Sequence, residues 1–210
     1  MAIPVLIMGP SGSGKSASLR NVEGNWALYN VTNKPLPFKA KDNIKGVNTD
    51  DYQKIKTGLL KAYDAGMRSA VIDDAGYLLT SKFMAGHRGK AGSAQFDLYN
   101  EIADNYYYLI KYISDDLPGD MIVYVTMHEQ KNDFGETRPK TIGKLLDDKV
   151  CVEGMFTIVL RACKVDGKYV FTTNTDGLDV TKSPIGMFEE TYIDNDLQLV
   201  DNEIRKYYNI

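Results

Sequence analysis

Gly9-Pro10-Ser11-Gly12-Ser13-Gly14-Lys15-Ser16 places glycines, a lysine and a hydroxyl at the spacing that cradles a phosphate chain. The pattern is a glycine, four residues, then Gly-Lys-Ser, directly after the apolar run Ile3-Pro4-Val5-Leu6-Ile7-Met8. Glycines let the loop fold so that backbone N–H groups converge on phosphate oxygens. A helix expected from about Lys15 to Val22 adds the positive end of its dipole. Lys15 is expected to reach the β- and γ-phosphates and Ser16 to ligate Mg²⁺, with the run from Gly9 to Ala17 forming the nucleotide cradle.

Two further places carry chemistry. Ala70-Val71-Ile72-Asp73-Asp74 reads as a short buried strand ending in two carboxylates. Downstream of a phosphate loop, Asp73 is the expected second metal ligand, holding Mg²⁺ through a water. Asp74 is expected either to orient and deprotonate an attacking water or to be an exposed turn carboxylate. His128 follows the expected strand Met121 to Met127, beside Thr126. It would face the γ-phosphate if that strand neighbours the phosphate-loop strand, and is otherwise a loop histidine on the surface.

The elements that must position these groups alternate. Trp26 to Val31 reads as a second strand, and Lys34-Pro35-Leu36-Pro37-Phe38 then breaks regular structure. Tyr52, Ile55, Leu59 and Tyr63 recur at helical spacing up to Gly66. A Gly-rich stretch from about Thr80 to Gly92 precedes a long helix with Phe96, Tyr99, Ile102, Tyr106, Leu109 and Ile113 on one face. Glu129 to Val150 reads as a polar loop with one helical turn. Two strands around Asp166-Gly167 form a hairpin, and Leu197, Val200, Ile204 and Tyr207 mark a final amphipathic helix. The expected fold is α/β, a mostly parallel sheet flanked by helices with an antiparallel C-terminal edge.

The chain has 210 residues, 43% hydrophobic and 25% charged, which suits one α/β domain over 1–210. A net charge of −3 leaves room for a local basic patch but excludes a global cationic field. Two cysteines, Cys151 and Cys163, lack metal-ligand spacing and fit a reduced, cytoplasmic protein. No stretch is long enough to span a membrane.

From Val5 to about Phe188 the chain resembles RecA-type ATPase cores, more closely the small phage RecA-like ATPases of single-strand annealing and recombination. The phosphate loop, Lys34-Pro35-Leu36-Pro37-Phe38, Val71-Ile72-Asp73-Asp74, Val125-Thr126-Met127-His128-Glu129 and Lys182-Ser183-Pro184 before Gly186-Met187-Phe188 carry the resemblance. It implies ATP and Mg²⁺ as cofactors, single-stranded DNA as partner, a ring or filament of identical chains, and a bacterial host cytoplasm. It also implies that the loops Thr80 to Gln95 and Glu129 to Val150 line the DNA. Their cations Lys82, Arg88, Lys90, Arg138, Lys140 and Lys144 are the expected phosphate contacts, and Phe83 and Phe96 candidates for base stacking. Lys182 is expected to act in a neighbouring chain's nucleotide site.

One departure stands out. RecA-like ATPases place a catalytic glutamate just beyond the second strand, and here that region reads Asn30-Val31-Thr32-Asn33. Either Asp74 takes over the role or hydrolysis is slow and ATP acts as a switch. A small-molecule P-loop kinase and a nucleotide-gated interaction module therefore stay open beside the DNA-binding ATPase.

Overall fold

A computed structural model describes residues 1–132 and 134–210; Asp133, inside the expected polar loop, lies outside them. β1 (Ile3–Gly9) runs into the phosphate loop and a short 3₁₀ helix, Ser16–Asn21. There follow β2 (Trp26–Asn30), β3 (Ile44–Asn48), α1 (Tyr52–Asp64), β4 (Ser69–Asp73), α2 (Gly76–Gly86), α3 (Ser93–Asp116) and β5 (Ile122–Lys131). The C-terminal third adds β6 (Thr137–Pro139), α4 (Lys144–Asp147), β7 (Ile158–Val165), β8 (Lys168–Thr172), β9 (Tyr192–Asp194) and α5 (Leu197–Tyr208).

Among the described residues the strands form one nine-stranded sheet, ordered β3-β2-β4-β5-β1-β7-β8-β9, with β6 paired to β5. The pairs from β3 across to β7 are parallel, whereas β5–β6, β7–β8 and β8–β9 are antiparallel. The expected fold class therefore holds. β1, β4 and most of β5 are buried on both faces, which explains their unbroken apolar runs. Alternate residues serve opposite cores: Leu6, Met8, Ile72 and Val125 pack with α1, α2 and α3, while Val5, Ile7, Val71 and Tyr124 pack with the 3₁₀ helix and α5.

Local chemistry sets the boundaries. Asp51 accepts the N–H groups of Gln53 and Lys54 at 2.8 and 3.0 Å and so starts α1. Asp196 caps α5 through the Gln198 N–H at 2.9 Å. Asp166 and Gly167 both take positive φ, +50° and +79°, as a two-residue hairpin turn requires.

Several expectations need correction. The helix after the phosphate loop is a six-residue 3₁₀ segment, so a helix dipole contributes little there. The Gly-rich stretch is helical through Gly86, because Leu78, Leu79 and the partly buried Phe83 find apolar partners in α3 and the sheet. β5 continues through His128 to Lys131, since β6 pairs with its end. The short strands β3, β6 and β9 carry too little apolar alternation to be read from sequence. Phe96 and Tyr207 are exposed rather than core residues of their helices. The reduced cysteines, by contrast, are as expected: both are free thiols.

Candidate functional site

The carboxyl ends of β1, β4 and β5 meet beneath the phosphate loop, where open α/β sheets bind ligands. Gly12 and Gly14 take φ of +75° and +99°, which disfavour any side chain. A Cβ on Gly9 would lie 2.5 Å from the Ala162 carbonyl oxygen, so β7 packs directly on the loop's base. Lys15 is buried at 6% exposure and its Nζ donates to the carbonyls of Gly9 and Pro10 at 2.8 and 2.9 Å. Burial lowers the Lys15 pKa, opposed by the charges of Asp74 and Asp73. Ser11 to Ala17 line a cleft of about 670 Å³; Gly9 and Pro10 support it from below rather than lining it.

Asp73 ends β4 with its carboxylate buried. Ser16 Oγ donates to Oδ2 at 2.8 Å and Thr126 Oγ1 donates to Oδ1 at 2.7 Å. Burial pushes the carboxyl above its usual range, and these two hydrogen bonds pull it partly back. Thr126 Oγ1 also accepts the Asp74 backbone N–H at 2.8 Å, tying β5 to the end of β4. Thr126 thus holds the Asp73 carboxylate and the Asp74 backbone together, a role the sequence signalled only by its place beside His128.

Asp74 adopts a left-handed conformation, φ +58°, unusual outside glycine. Its Oδ2 accepts Thr32 Oγ1 at 3.3 Å and Lys34 Nζ at 3.4 Å, and His128 Nε2 lies 3.6 Å from Oδ1. Gly9 and His128 are register partners, so the P-loop strand and the histidine strand are neighbours and His128 lines the cleft. Burial, then the Lys15 charge, lower the His128 pKa, so the ring is neutral at neutral pH.

Sequence reasoning missed eight cleft residues: Arg20, Thr32, Lys34 with Pro35, Leu36 and Pro37 (quoted only as a motif), Tyr169 and Asn195. Asn195 is 2% exposed, and neither amide atom has a partner among the described residues. Its Oδ1 would meet a Cβ on Gly14 at 2.9 Å, while Arg20 donates to its carbonyl at 2.7 Å. The contact spans 175 residues in sequence, and no local signal announces it.

The candidate DNA cations divide. Lys82 is on α2 and pairs with Glu101 at 2.7 Å, and Arg138 bridges Glu136 and Glu153 at 3.0 and 3.1 Å. Neither is a freely available cation, because helix formation and β6 pairing bring acidic neighbours to them. Arg88, Lys90, Lys140 and Lys144 are exposed, with no ion pair to a described residue. Phe83 is partly buried and stacks on His87 at 4.9 Å, whereas Phe96 is exposed. Lys182 is exposed and bridges Val159 through its backbone, apart from the residues lining the cleft of its own chain.

The donor set suits a hard cation: one hydroxyl and one carboxylate, both oxygen, beside the phosphate cradle. Among the described residues no cluster of three or more His, Cys, Asp or Glu forms a metal cage, so Mg²⁺ here would need phosphate and water ligands too. Among them too, no helix is long and apolar enough to cross a membrane.

No protein-family model and no curated protein matches the sequence. Among solved structures, a KaiC-like protein from the hyperthermophilic archaeon Pyrococcus horikoshii OT3 aligns over 80% of this chain and 76% of its own, with 11% identity and a TM-score of 0.38.

Proposed function

We propose that this chain is a RecA-like P-loop ATPase that binds Mg·ATP, hydrolyses it to ADP and phosphate, and couples nucleotide state to single-stranded DNA in recombination or strand annealing. The observation that carries the nucleotide reading is the convergence of Ser16 and Thr126 on the two oxygens of Asp73, directly below a glycine loop with a buried lysine. Backbone N–H groups of residues 11–17 bind the phosphates, and Lys15 turns from the Gly9 and Pro10 carbonyls to their oxygens. Ser16 and Asp73 would hold Mg²⁺, which when bound neutralises charge on the β- and γ-phosphates.

Asp74 stands in for the missing glutamate. Held by Thr32, Lys34 and the Thr126 hydroxyl at the cleft wall, it orients a water toward the γ-phosphorus and takes its proton as the new P–O bond forms. The bond to the β–γ bridging oxygen breaks and ADP departs. Neutral His128 lies between Asp74 and Tyr77, whose ring centre is 6.0 Å from the imidazole, and links the terminal phosphate to α2. The exposed cations Arg88, Lys90, Lys140 and Lys144 support the DNA reading, in a ring or filament where Lys182 reaches a neighbouring chain's cleft. Arg20 is the sole arginine lining the cleft among the described residues, which disfavours a kinase with a phosphate-clamping lid.

Phosphate release with and without single-stranded DNA, and with nucleoside monophosphates, tests this reading. Wild type should be stimulated by DNA alone, and Asp74→Asn should bind ATP but turn over about 100-fold or more slowly. ADP formation dependent on a monophosphate would establish the kinase instead, and ATP binding without turnover the switch.

A further inference from the structure

The turn after β2 delivers a second lysine to the cleft. Asn33 is left-handed, φ +53°, and the Asn30 side chain donates to the Lys34 carbonyl at 2.6 Å, which closes the turn over the end of β4. Pro35 and Pro37 restrict the backbone just beyond it. Lys34 Nζ is thereby held 3.4 Å from Asp74 Oδ2 and 5.2 Å from the centre of the Tyr77 ring. Its charge also acts on Lys15 and His128, lowering the pKa of each, so the three groups share one electrostatic neighbourhood.

We infer that Lys34 is the cation that distinguishes a nucleoside triphosphate from a diphosphate in this cleft, by exchanging Asp74 for the γ-phosphate. The inference rests on the cleft being the nucleotide site proposed above. Lys15 sits under the loop, and its contact to the β-phosphate is common to both nucleotides. Lys34 approaches from the Asp74 and His128 side, beyond Asp73, where the terminal phosphate meets the attacking water.

The contact to Asp74 is long and its lysine 62% exposed, so it constrains Lys34 weakly. A γ-phosphate offers a denser negative charge and shorter charge-assisted hydrogen bonds, and wins the exchange. With a diphosphate, Lys34 stays on Asp74.

Affinities of wild type, Lys34→Met and Lys34→Arg for Mg·ADP and for a magnesium-bound, non-hydrolysable ATP analogue test this by calorimetry. Lys34→Met should weaken the analogue about ten-fold or more, the loss expected for one charge-assisted contact, while ADP affinity changes less than about two-fold. Lys34→Arg should retain the discrimination. Unchanged ADP affinity also certifies that the variant is folded with its cradle intact. Equal losses for both nucleotides, or none for either, would overturn the role of Lys34. A wild type that binds neither nucleotide would overturn the nucleotide site itself, a result distinct from either.

Discussion

Asp73 and Asp201 are both buried carboxylates tied to β4, one at each end of the strand, and they are treated in opposite ways. Asp201, on α5, accepts Ser69 Oγ at 2.8 Å, the Tyr124 hydroxyl at 2.9 Å and Arg205 Nε at 2.7 Å. Arg205 in turn donates to the carbonyls of Arg68 and Asp120, so its fork is spent on the same corner. Asp73 receives two hydroxyls, while the nearby Lys15 donates to loop carbonyls instead of pairing with it. Ser13 Oγ and the Asn195 amide, around the same loop, have no partner among the described residues. A closed polar network with its own counter-ion locks a helix to a sheet. An open one, whose carboxylate is held above its usual pKa by burial, keeps capacity for a cation and phosphates.

The largest effect should come from the closed end. Asp201→Ala strips Arg205 of its carboxylate and leaves Ser69 and Tyr124 without their acceptor, at a cost of about 3 kcal/mol in urea unfolding. The value sits at the low end for a broken pair because Arg205 keeps some solvent. Nucleotide affinity of the folded fraction should be unchanged; a loss there would mean that the two ends are coupled.

Lys15→Ala should do the reverse. Removing one charge-assisted contact to the terminal phosphates costs about 2 kcal/mol of Mg·ATP binding, roughly 30-fold in Kd, with little change in the urea midpoint. Unaltered ATP affinity would dismiss the phosphate-loop reading.

The smallest effect is the sharpest test of the contrast. In the native protein Asp73 has a raised pKa, so between its ordinary and raised values the native state binds more protons than the unfolded one. Its contribution to stability therefore falls as pH rises through that window and is most unfavourable at neutral pH. Asp73→Asn, which can still bond Ser16 and Thr126, should raise stability at neutral pH by about 1 kcal/mol, or about 2–4 °C in Tm. The gain should shrink as pH is lowered toward the ordinary carboxylate range, while Mg²⁺-dependent turnover is lost. A destabilised Asp73→Asn would place Asp73 with Asp201 as a structural residue.

Much of this site was legible in the primary structure because its pieces are local. A phosphate loop needs glycines at fixed offsets for its backbone, here Gly12 and Gly14 at positive φ, and a strand before it, all within about 15 residues. The parallel strands were legible because burial on both faces demands continuous apolar runs. Short strands such as β3, β6 and β9 were not, since pairing partners distant in sequence create them. The loop assigned to Thr80 and beyond failed for a similar reason: α2 persists through a polar, glycine-containing run because its apolar residues pack on α3.

What the sequence determined by itself was the chemistry available: a glycine cradle, Lys15, Ser16, and two carboxylates after an apolar strand. Those features depend on covalent order and on φ preferences that travel with each residue. Tertiary structure alone decided which groups share the cleft. It brought Lys34 and Thr32 over Asp74 and lodged Thr126 between the Asp73 carboxylate and the Asp74 backbone N–H. It pressed Asn195 onto Gly14 and spent Lys82 and Arg138 on glutamates. Contacts made across tens to hundreds of residues follow from strand order and burial, which no local spacing encodes.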